Sequence, residues 1–253
     1  MDLGLEGRRC VVAGGSRGIG RAIALGLAAE GADVAICART AAPLRRTEAD
    51  LRAHGRRVHA ALCDVANPGS LAQFLEGARD ALGGVDVLVH NASALAFGPD
   101  LASWDASLQV DLMSAVRACD QVLPWMEEAG GGSILLIASI SGLEVSPMPD
   151  HAYTSVKAAL IAYARKLAVV EAPRRVRVNA IAPGSIDFPG GVWARVKERQ
   201  PELYEGVRAS IPWGRLGTPE EVADVAVYLA SARASWVTGA CVVVDGGQHR
   251  GIR

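Results

Sequence analysis

Three side chains have types and spacings that suit proton transfer to or from a substrate oxygen. Tyr153 and Lys157 lie four residues apart in a stretch with helical spacing, which puts both on one face of a helix. A nearby ammonium favours the phenolate and lowers the pKa of a tyrosine, so the pair suits an acid or base working near neutral pH. Ser139 ends an apolar run fourteen positions earlier, where its hydroxyl could bind a substrate oxygen. Taken alone, the Tyr–Lys spacing is also typical of an amphipathic helix without any catalytic role.

A glycine-rich turn near the N-terminus has the composition of a phosphate-binding loop. In the run from Cys10 to Gly20, a short apolar stretch leads into glycines at 14, 18 and 20, and a helical pattern opens at Arg21. Glycines let the backbone approach a ligand closely, and the helix start offers unpaired N–H groups to a phosphate. The prediction is a dinucleotide site; the alternative is a turn that binds nothing.

Composition and charge are those of an ordinary globular protein of 253 residues, half of them apolar, with a net charge of −1. Near-neutral charge without basic runs argues against nucleic acid or an anionic membrane as a partner. The five cysteines lie singly and without metal-ligand spacing, which predicts buried free thiols and no metal site. No stretch is apolar for long enough to be a signal peptide or a membrane span, so we predict a cytoplasmic protein.

The elements that must position these residues alternate between strands and helices. Apolar strands are predicted over 10–13, 32–38, 58–63, 85–90, 133–138, 176–181 and 240–244. Helices are predicted from 21, in a basic stretch that ends near 55, and over 68–82, 103–126, 152–170 and 219–230, with Ser103 and Thr218 as N-caps. This alternation predicts an α/β doubly wound Rossmann fold, with a central seven-stranded parallel sheet and helices on both faces.

We expect a single domain over 1–253. The irregular, proline- and glycine-containing stretch 183–218 is predicted to be a lid, over about 185–217.

Several motifs together resemble the classical short-chain dehydrogenases/reductases. They are GGSRGIG at 14–20, His90-Asn91-Ala92-Ser93, Ser139, Tyr153 with Lys157, and Asn179 to Gly184. They occur in the order seen in that family, and the resemblance runs from about Leu5 to Gly247. The joint match is far more specific than any of its pieces.

The resemblance implies a role for each matching position. Ser139 holds the substrate oxygen, Tyr153 is the general acid in reduction or the base in oxidation, and Lys157 binds the nicotinamide ribose and lowers the pKa of Tyr153. The implied cofactor-binding residues further include Gly14, Ser16, Gly18, Ile19 and Gly20 at the pyrophosphate and ribose, Asp64 and Val65 at the adenine, Asn91 and Ala92 in the cleft, and Pro183, Gly184 and Ile186 near the nicotinamide. Family members are usually homodimers or homotetramers, which pair the helices predicted at 103–126 and 152–170.

The end of the second strand indicates which nicotinamide cofactor binds. An acidic residue there would bind the adenosine 2′-hydroxyl and repel a 2′-phosphate. This chain has Ala38 followed by Arg39, and Arg17 lies in the glycine turn. Two guanidinium groups without a carboxylate suit a phosphate, which predicts NADP(H) over NAD(H).

Three positions depart from the family pattern. Ser93 stands where glycine is usual, and Phe188 stands where a threonine that touches the nicotinamide carboxamide is common. Asp111 replaces an asparagine that helps to hold a water linking the lysine to solvent. Near Lys157 its charge would favour the ammonium, so we hypothesise a catalytic relay that survives with altered pH dependence.

The substrate pocket is predicted to be largely apolar, with candidates Leu143, Val145, Met148, Trp193 and Tyr204; His151, just before Tyr153, is assigned a capping or surface role.

The predicted function is NADP(H)-dependent reduction of a small-molecule ketone, of the 3-oxoacyl type or another. Two alternatives stay open. One is an NAD-dependent alcohol or sugar dehydrogenase, and the other is a catalytically impaired nucleotide-binding sensor or assembly subunit.

Overall fold

Within the described residues, seven parallel strands form one sheet at the centre of the fold. The computed structural model describes residues 2–146 and 148–251. The strands are β1 (Arg9–Ala13), β2 (Asp33–Ala38), β3 (Val58–Leu62), β4 (Val87–His90), β5 (Gly132–Ile137), β6 (Val176–Pro183) and β7 (Cys241–Val244). Their order across the sheet is β3-β2-β1-β4-β5-β6-β7. The predicted seven-stranded parallel sheet is confirmed, and each strand lies within about two residues of its predicted bounds, the scatter expected between boundary definitions.

Helices cover both faces of the sheet. They are α1 (Gly18–Ala29), α2 (Ala41–Arg52), α3 (Pro68–Leu82), α4 (Leu101–Ser107), α5 (Ser114–Glu128), α6 (His151–Glu171), α7 (Val192–Arg199), α8 (Pro201–Ser210) and α9 (Pro219–Ala230). One buried layer joins α3, α5 and α6 to the sheet through residues such as Leu75, Val122 and Leu160. The other joins α1 and α9 through Ile23 and Val222. This arrangement is the doubly wound architecture that the alternating pattern predicts.

The strand order determines where a ligand can bind. The chain runs outward from β1 to β3 and then crosses back to β4 on the other side of β1. The loops after β1 and β4 therefore diverge to opposite faces, and a crevice opens beyond the carboxyl ends of the strands. The glycine turn follows β1, and Ser139 follows β5, so both lie at this edge.

The predicted helix over 103–126 is wrong in two respects. It begins at Leu101, because Asp100 is the N-cap and accepts the Ser103 N–H at 2.9 Å. It is also divided: residues Leu108–Met113 form a π-helical turn between α4 and α5. The π turn contains Asp111, and such turns occur frequently at functional sites.

The stretch 183–218 is more regular than its proline and glycine content suggests. It holds α7 and α8, which pack together around Tyr204 and Ile211. Pro201 occupies the first turn of α8, where its missing N–H costs nothing, so the proline starts a helix here and does not interrupt one.

All five cysteines are free thiols; four are buried, and Cys241 is partly exposed. Among the described helices, none combines the length and apolar character that a membrane crossing requires.

Candidate active site

A cavity of about 910 Å³ runs along the carboxyl edge of the sheet, from the glycine turn to α7 and α8. Its volume is that of a site for a large ligand. Most of the predicted site residues line it: Gly14, Ser16, Arg17, Ile19, Arg39, Asp64, Val65, Asn91, Ala92, Ser139, Met148, Tyr153, Lys157, Pro183, Gly184, Ile186 and Trp193. The fold thus brings residues from both halves of the chain to one surface.

Some predicted positions lie elsewhere. Leu143 packs against the core and Val145 is 92% exposed, so neither is brought to the cavity wall as predicted for a substrate pocket. Tyr204 is buried between α7 and α8 and donates its hydroxyl to Asp187. His151 is the exposed first residue of α6, as predicted. Gly18, Gly20 and Asp111 lie behind the wall.

Tyr153 and Lys157 lie on the first two turns of α6, against the end of β5. Their side chains share a face, with the Lys157 Nζ 5.6 Å from the centroid of the Tyr153 ring. Tyr153 and Ser139 are each 9% exposed, and the Ser139 hydroxyl acts to lower the pKa of Tyr153. Lys157 is 2% exposed and donates to the Ile137 carbonyl oxygen at 3.0 Å. The three side chains form one cluster at the cavity wall.

Asp111 forms a buried ion pair with Lys157, with 3.0 Å between Oδ1 and Nζ. Among the described residues, Oδ1 accepts no well-formed hydrogen bond, and the attraction to Lys157 is mainly Coulombic. The other oxygen, Oδ2, accepts the Ala94 N–H at 2.9 Å. The predicted proximity of this carboxylate to the ammonium is present in the structure.

Burial changes the expected electrostatics of Tyr153. Burial raises the pKa of Tyr153 above its usual 10; Lys157 acts to lower that pKa, and Asp111 acts to raise it. Lys157 therefore acts on the pKa of Tyr153 in the predicted direction. The net pKa of Tyr153 is nevertheless raised, because desolvation disfavours the phenolate. For Lys157, burial acts to lower the pKa, yet Asp111 and Tyr153 raise it above 10.5, so the lysine is an ammonium at neutral pH.

The glycine turn fits a dinucleotide pyrophosphate. A methyl group at Gly14 would come 2.9 Å from the Ala92 backbone nitrogen, and one at Gly20 would overlap the Gly14 carbonyl oxygen. Asn91 closes the turn by donating its side-chain amide to the same oxygen at 2.9 Å. In the part of the chain that the structure describes, no side chain caps the first turn of α1, so its N–H groups are free to meet an anion.

Phe188 lies directly over the start of α1. A methyl group at Gly18 would collide with the Phe188 ring. The ring thus occupies the space beside the helix start, a position for which a threonine is common in the family. It narrows the approach to the first turn of α1.

Sequence reasoning missed several cavity residues. Phe97 stacks edge-on against Tyr153, with 4.9 Å between ring centroids. Glu144 and Gln248 line the same cavity and add polar groups to a wall that is mostly apolar, as predicted. No local motif marks these three, because each arrives from a loop or tail whose path the pattern does not define.

Comparisons with known proteins agree with this geometry. The family model described as enoyl-(acyl carrier protein) reductase matches residues 13–249. Isoepoxydon dehydrogenase from Penicillium expansum is 37% identical over 259 residues, which cover 100% of this chain and 99% of that protein. A 7α-hydroxysteroid dehydrogenase complexed with NADH and 7-oxo glycochenodeoxycholic acid has a TM-score of 0.92 at 30% identity, with 100% and 98% of the chains covered. L-sorbose reductase from Gluconobacter frateurii, complexed with NADPH and L-sorbose, has a TM-score of 0.90 at 32% identity, with both chains covered fully.

The chain belongs to the short-chain dehydrogenase/reductase family, a family of nicotinamide-dependent oxidoreductases. The resemblance inferred from the motifs is thereby confirmed.

Proposed function

We propose that the protein is an NADP(H)-dependent reductase that converts a ketone to a secondary alcohol. One observation carries the proposal: Ser139, Tyr153 and Lys157 form a single cluster in the wall of a cavity that also reaches the glycine turn. The bound nicotinamide supplies or accepts the hydride, and the protein supplies orientation and the proton.

Each member of the cluster has a distinct part in the proposal. The Ser139 hydroxyl holds the substrate oxygen, and the Tyr153 hydroxyl donates the proton to it. Because burial keeps the pKa of Tyr153 above 10, the phenol is protonated at neutral pH and ready to act as an acid. The Lys157 ammonium limits that rise and stabilises the phenolate left after the transfer. This protonation state favours the reductive direction.

The preference for NADP(H) is supported by the charges around the adenosine end of the cavity. Arg17 and Arg39 both line it and are exposed, and neither makes an ion pair with another described residue. The residue after β2 is Arg39, so no carboxylate stands where a 2′-phosphate would bind. The two related structures contain NADH and NADPH, so relatives alone do not decide the preference. Arg39→Asp should weaken NADPH binding and favour NADH; unchanged NADPH affinity would refute this assignment.

A second candidate is a nucleotide-binding sensor without turnover, which is motivated by Phe188 standing where the family commonly has a threonine that touches the nicotinamide carboxamide. A panel of ketones with NADPH and NADH, assayed by nucleotide absorbance, separates the two candidates. A reductase turns over at least one ketone, and Tyr153→Phe removes that turnover while nucleotide binding persists. Nucleotide binding without turnover in the wild type would favour the sensor, and equal activity in Tyr153→Phe would refute the assigned acid.

We also propose a soluble homodimer or homotetramer in the cytoplasm. Large apolar side chains lie at the surface near α6 and β7: Val169 is 74% exposed, Trp213 70% and Trp236 98%. Where such side chains form a contiguous exposed patch, they mark an interaction surface. Light scattering coupled to size-exclusion chromatography tests this, and a monomer at micromolar concentration would refute it.

A further inference from the structure

The C-terminal tail follows a path fixed by hydrogen bonds, and its Gln248 lines the cavity. After β7 the chain turns through Gly246 and Gly247, both with positive φ. Asp245 holds the turn, since its carboxylate accepts the N–H of Gly247 at 2.9 Å and that of His249 at 2.6 Å. The tail is therefore a built part of the site.

The tail binds the loop that follows β6 through Gln248. Its side-chain oxygen accepts the Ser185 N–H at 2.8 Å, and its amide nitrogen donates to the Ser185 hydroxyl at 3.0 Å. Gln248 and Ser185 both line the cavity, beside Pro183 and Gly184. This contact fixes the tail on the side of the cavity assigned to the nicotinamide.

The next residue, His249, contacts the segment that follows β5. His249 Nδ1 lies 3.0 Å from Oε2 of Glu144, five residues beyond Ser139. A carboxylate can only accept a hydrogen bond, so Nδ1 carries the proton. The His249 side chain is 7% exposed, whereas Glu144 is 36% exposed and lines the cavity. The histidine thus fixes a carboxylate that remains open to a ligand.

The second carboxylate oxygen of Glu144 has capacity for a ligand. Among the described residues, Oε1 accepts no hydrogen bond. Phe97 and Trp193 supply apolar surface to the same cavity. A substrate that covered Glu144 with hydrocarbon would leave Oε1 of the carboxylate desolvated and without a hydrogen bond, and an anionic substrate would be repelled. A hydroxyl group avoids both costs by donating to the carboxylate.

We propose that Glu144, positioned by His249, determines substrate specificity, and that it selects neutral ketones carrying a hydroxyl group a few carbon atoms from the carbonyl. The inference rests on the proposed function, because it takes Ser139 and Tyr153 as the point where the carbonyl binds. Hydroxylated carbon chains of the sugar and polyol kind are the substrate class. Glu144 acts on binding, and the proton transfer at Tyr153 does not need it.

Three probes of similar size test the proposal: 2-pentanone, 5-hydroxy-2-pentanone and 4-oxopentanoate. Their dissociation constants are measured by NADPH fluorescence on the complex of Tyr153→Phe with NADPH, where no turnover interferes, and kcat/KM is measured with Tyr153 intact. We expect the hydroxyketone to be favoured over the plain ketone by roughly tenfold, the contribution of one charged hydrogen bond, and 4-oxopentanoate to be disfavoured.

Glu144→Leu should remove the hydroxyl preference by raising KM for 5-hydroxy-2-pentanone towards that for 2-pentanone. Glu144→Gln keeps the size and removes the charge, so it should admit 4-oxopentanoate. His249→Ala should weaken the preference in the same direction, and Glu128→Gln, on the exposed surface of α5, is the matched control. An unchanged ratio of hydroxyketone to ketone in Glu144→Leu overturns the inference. Absence of turnover with preserved binding ratios overturns the proposed function instead.

Discussion

Replacing Asp111 with asparagine tests the buried ion pair that distinguishes this site. Asp111 presents two acceptors: Oδ1 faces the Lys157 ammonium at 3.0 Å, and Oδ2 accepts the Ala94 N–H. Asparagine has one oxygen and one NH₂ group. Whichever way it turns, a donor then faces a donor, either at Lys157 or at Ala94.

The expected loss of unfolding free energy in Asp111→Asn follows from those contacts. An unsatisfied buried donor costs about 1–3 kcal/mol, and breaking a buried ion pair costs about 3–5 kcal/mol when no other group compensates. The Ile137 carbonyl still accepts from Lys157, which reduces the penalty. We expect a loss of about 3 kcal/mol in unfolding free energy, or about 6–12 °C in Tm for a chain of this size.

The same substitution changes the pH dependence of turnover. Because the Asp111 charge acts to raise the pKa of Tyr153, Asp111→Asn should lower that pKa. Reduction requires the protonated phenol, so its alkaline limb should move to lower pH. Oxidation requires the phenolate, so its activity should begin to rise at lower pH.

Urea unfolding at pH 7 and pH–rate profiles in both directions measure these effects, with Asp105→Asn on the exposed face of α4 as the control. The reasoning fails if Asp111→Asn unfolds like the control and its alkaline limb does not move. A stability loss without a change in pH profile would leave Asp111 a structural residue only.

Three further predictions concern the elements that support the site. In Gly142→Ala the new methyl group would come 2.6 Å from the Lys157 backbone carbon. The substitution should lower kcat and reduce the unfolding free energy, measured in urea, by about 1–3 kcal/mol. A variant as stable as the wild type would contradict the close packing. Burial acts to raise the pKa of Asp86, but its hydrogen bonds and ion pair with Arg9 hold it below 3.8. That stabilisation is present above pH 3.8 and is lost as the pH falls. Asp86→Asn should therefore reduce the unfolding free energy by about 2 kcal/mol at pH 7 and by less in acid. A stability difference between variant and wild type that did not change with pH would contradict this prediction. Thr218→Ala removes the capping box of α9 and should lower stability by about 1 kcal/mol by calorimetry, with KM unchanged; an effect on KM would mean that α9 communicates with the site.

Local patterns in the sequence predict most of the framework. Apolar runs of strand length separated by amphipathic helices predict a parallel sheet, because such strands are buried on both faces. Position-specific signals also work where one residue controls the backbone: Thr218 caps α9 as predicted. Ser103 does not cap α4, because Asp100, with an equally suitable side chain, lies three residues earlier and takes that role.

The π turn at 108–113 marks a limit of such patterns. One π turn within an α-helix changes the spacing of apolar residues very little. The sequence therefore predicts one continuous helix. Only the packing of this segment against α6 brings Asp111 to Lys157. The tertiary structure, not the helix pattern, decides that the carboxylate is buried at the site.

The sequence by itself determined the order of strands and helices along the chain and the glycine turn, because each depends on residue types within a short span. Its motifs taken together predicted the Ser139, Tyr153 and Lys157 set. The tertiary structure alone decided the net pKa shift of Tyr153, since desolvation depends on every group packed around the phenol. It also decided the contact between Glu144 and His249, which lie 105 positions apart. No local pattern carries such a contact, because it depends on how a loop and a tail cross after the whole sheet has formed.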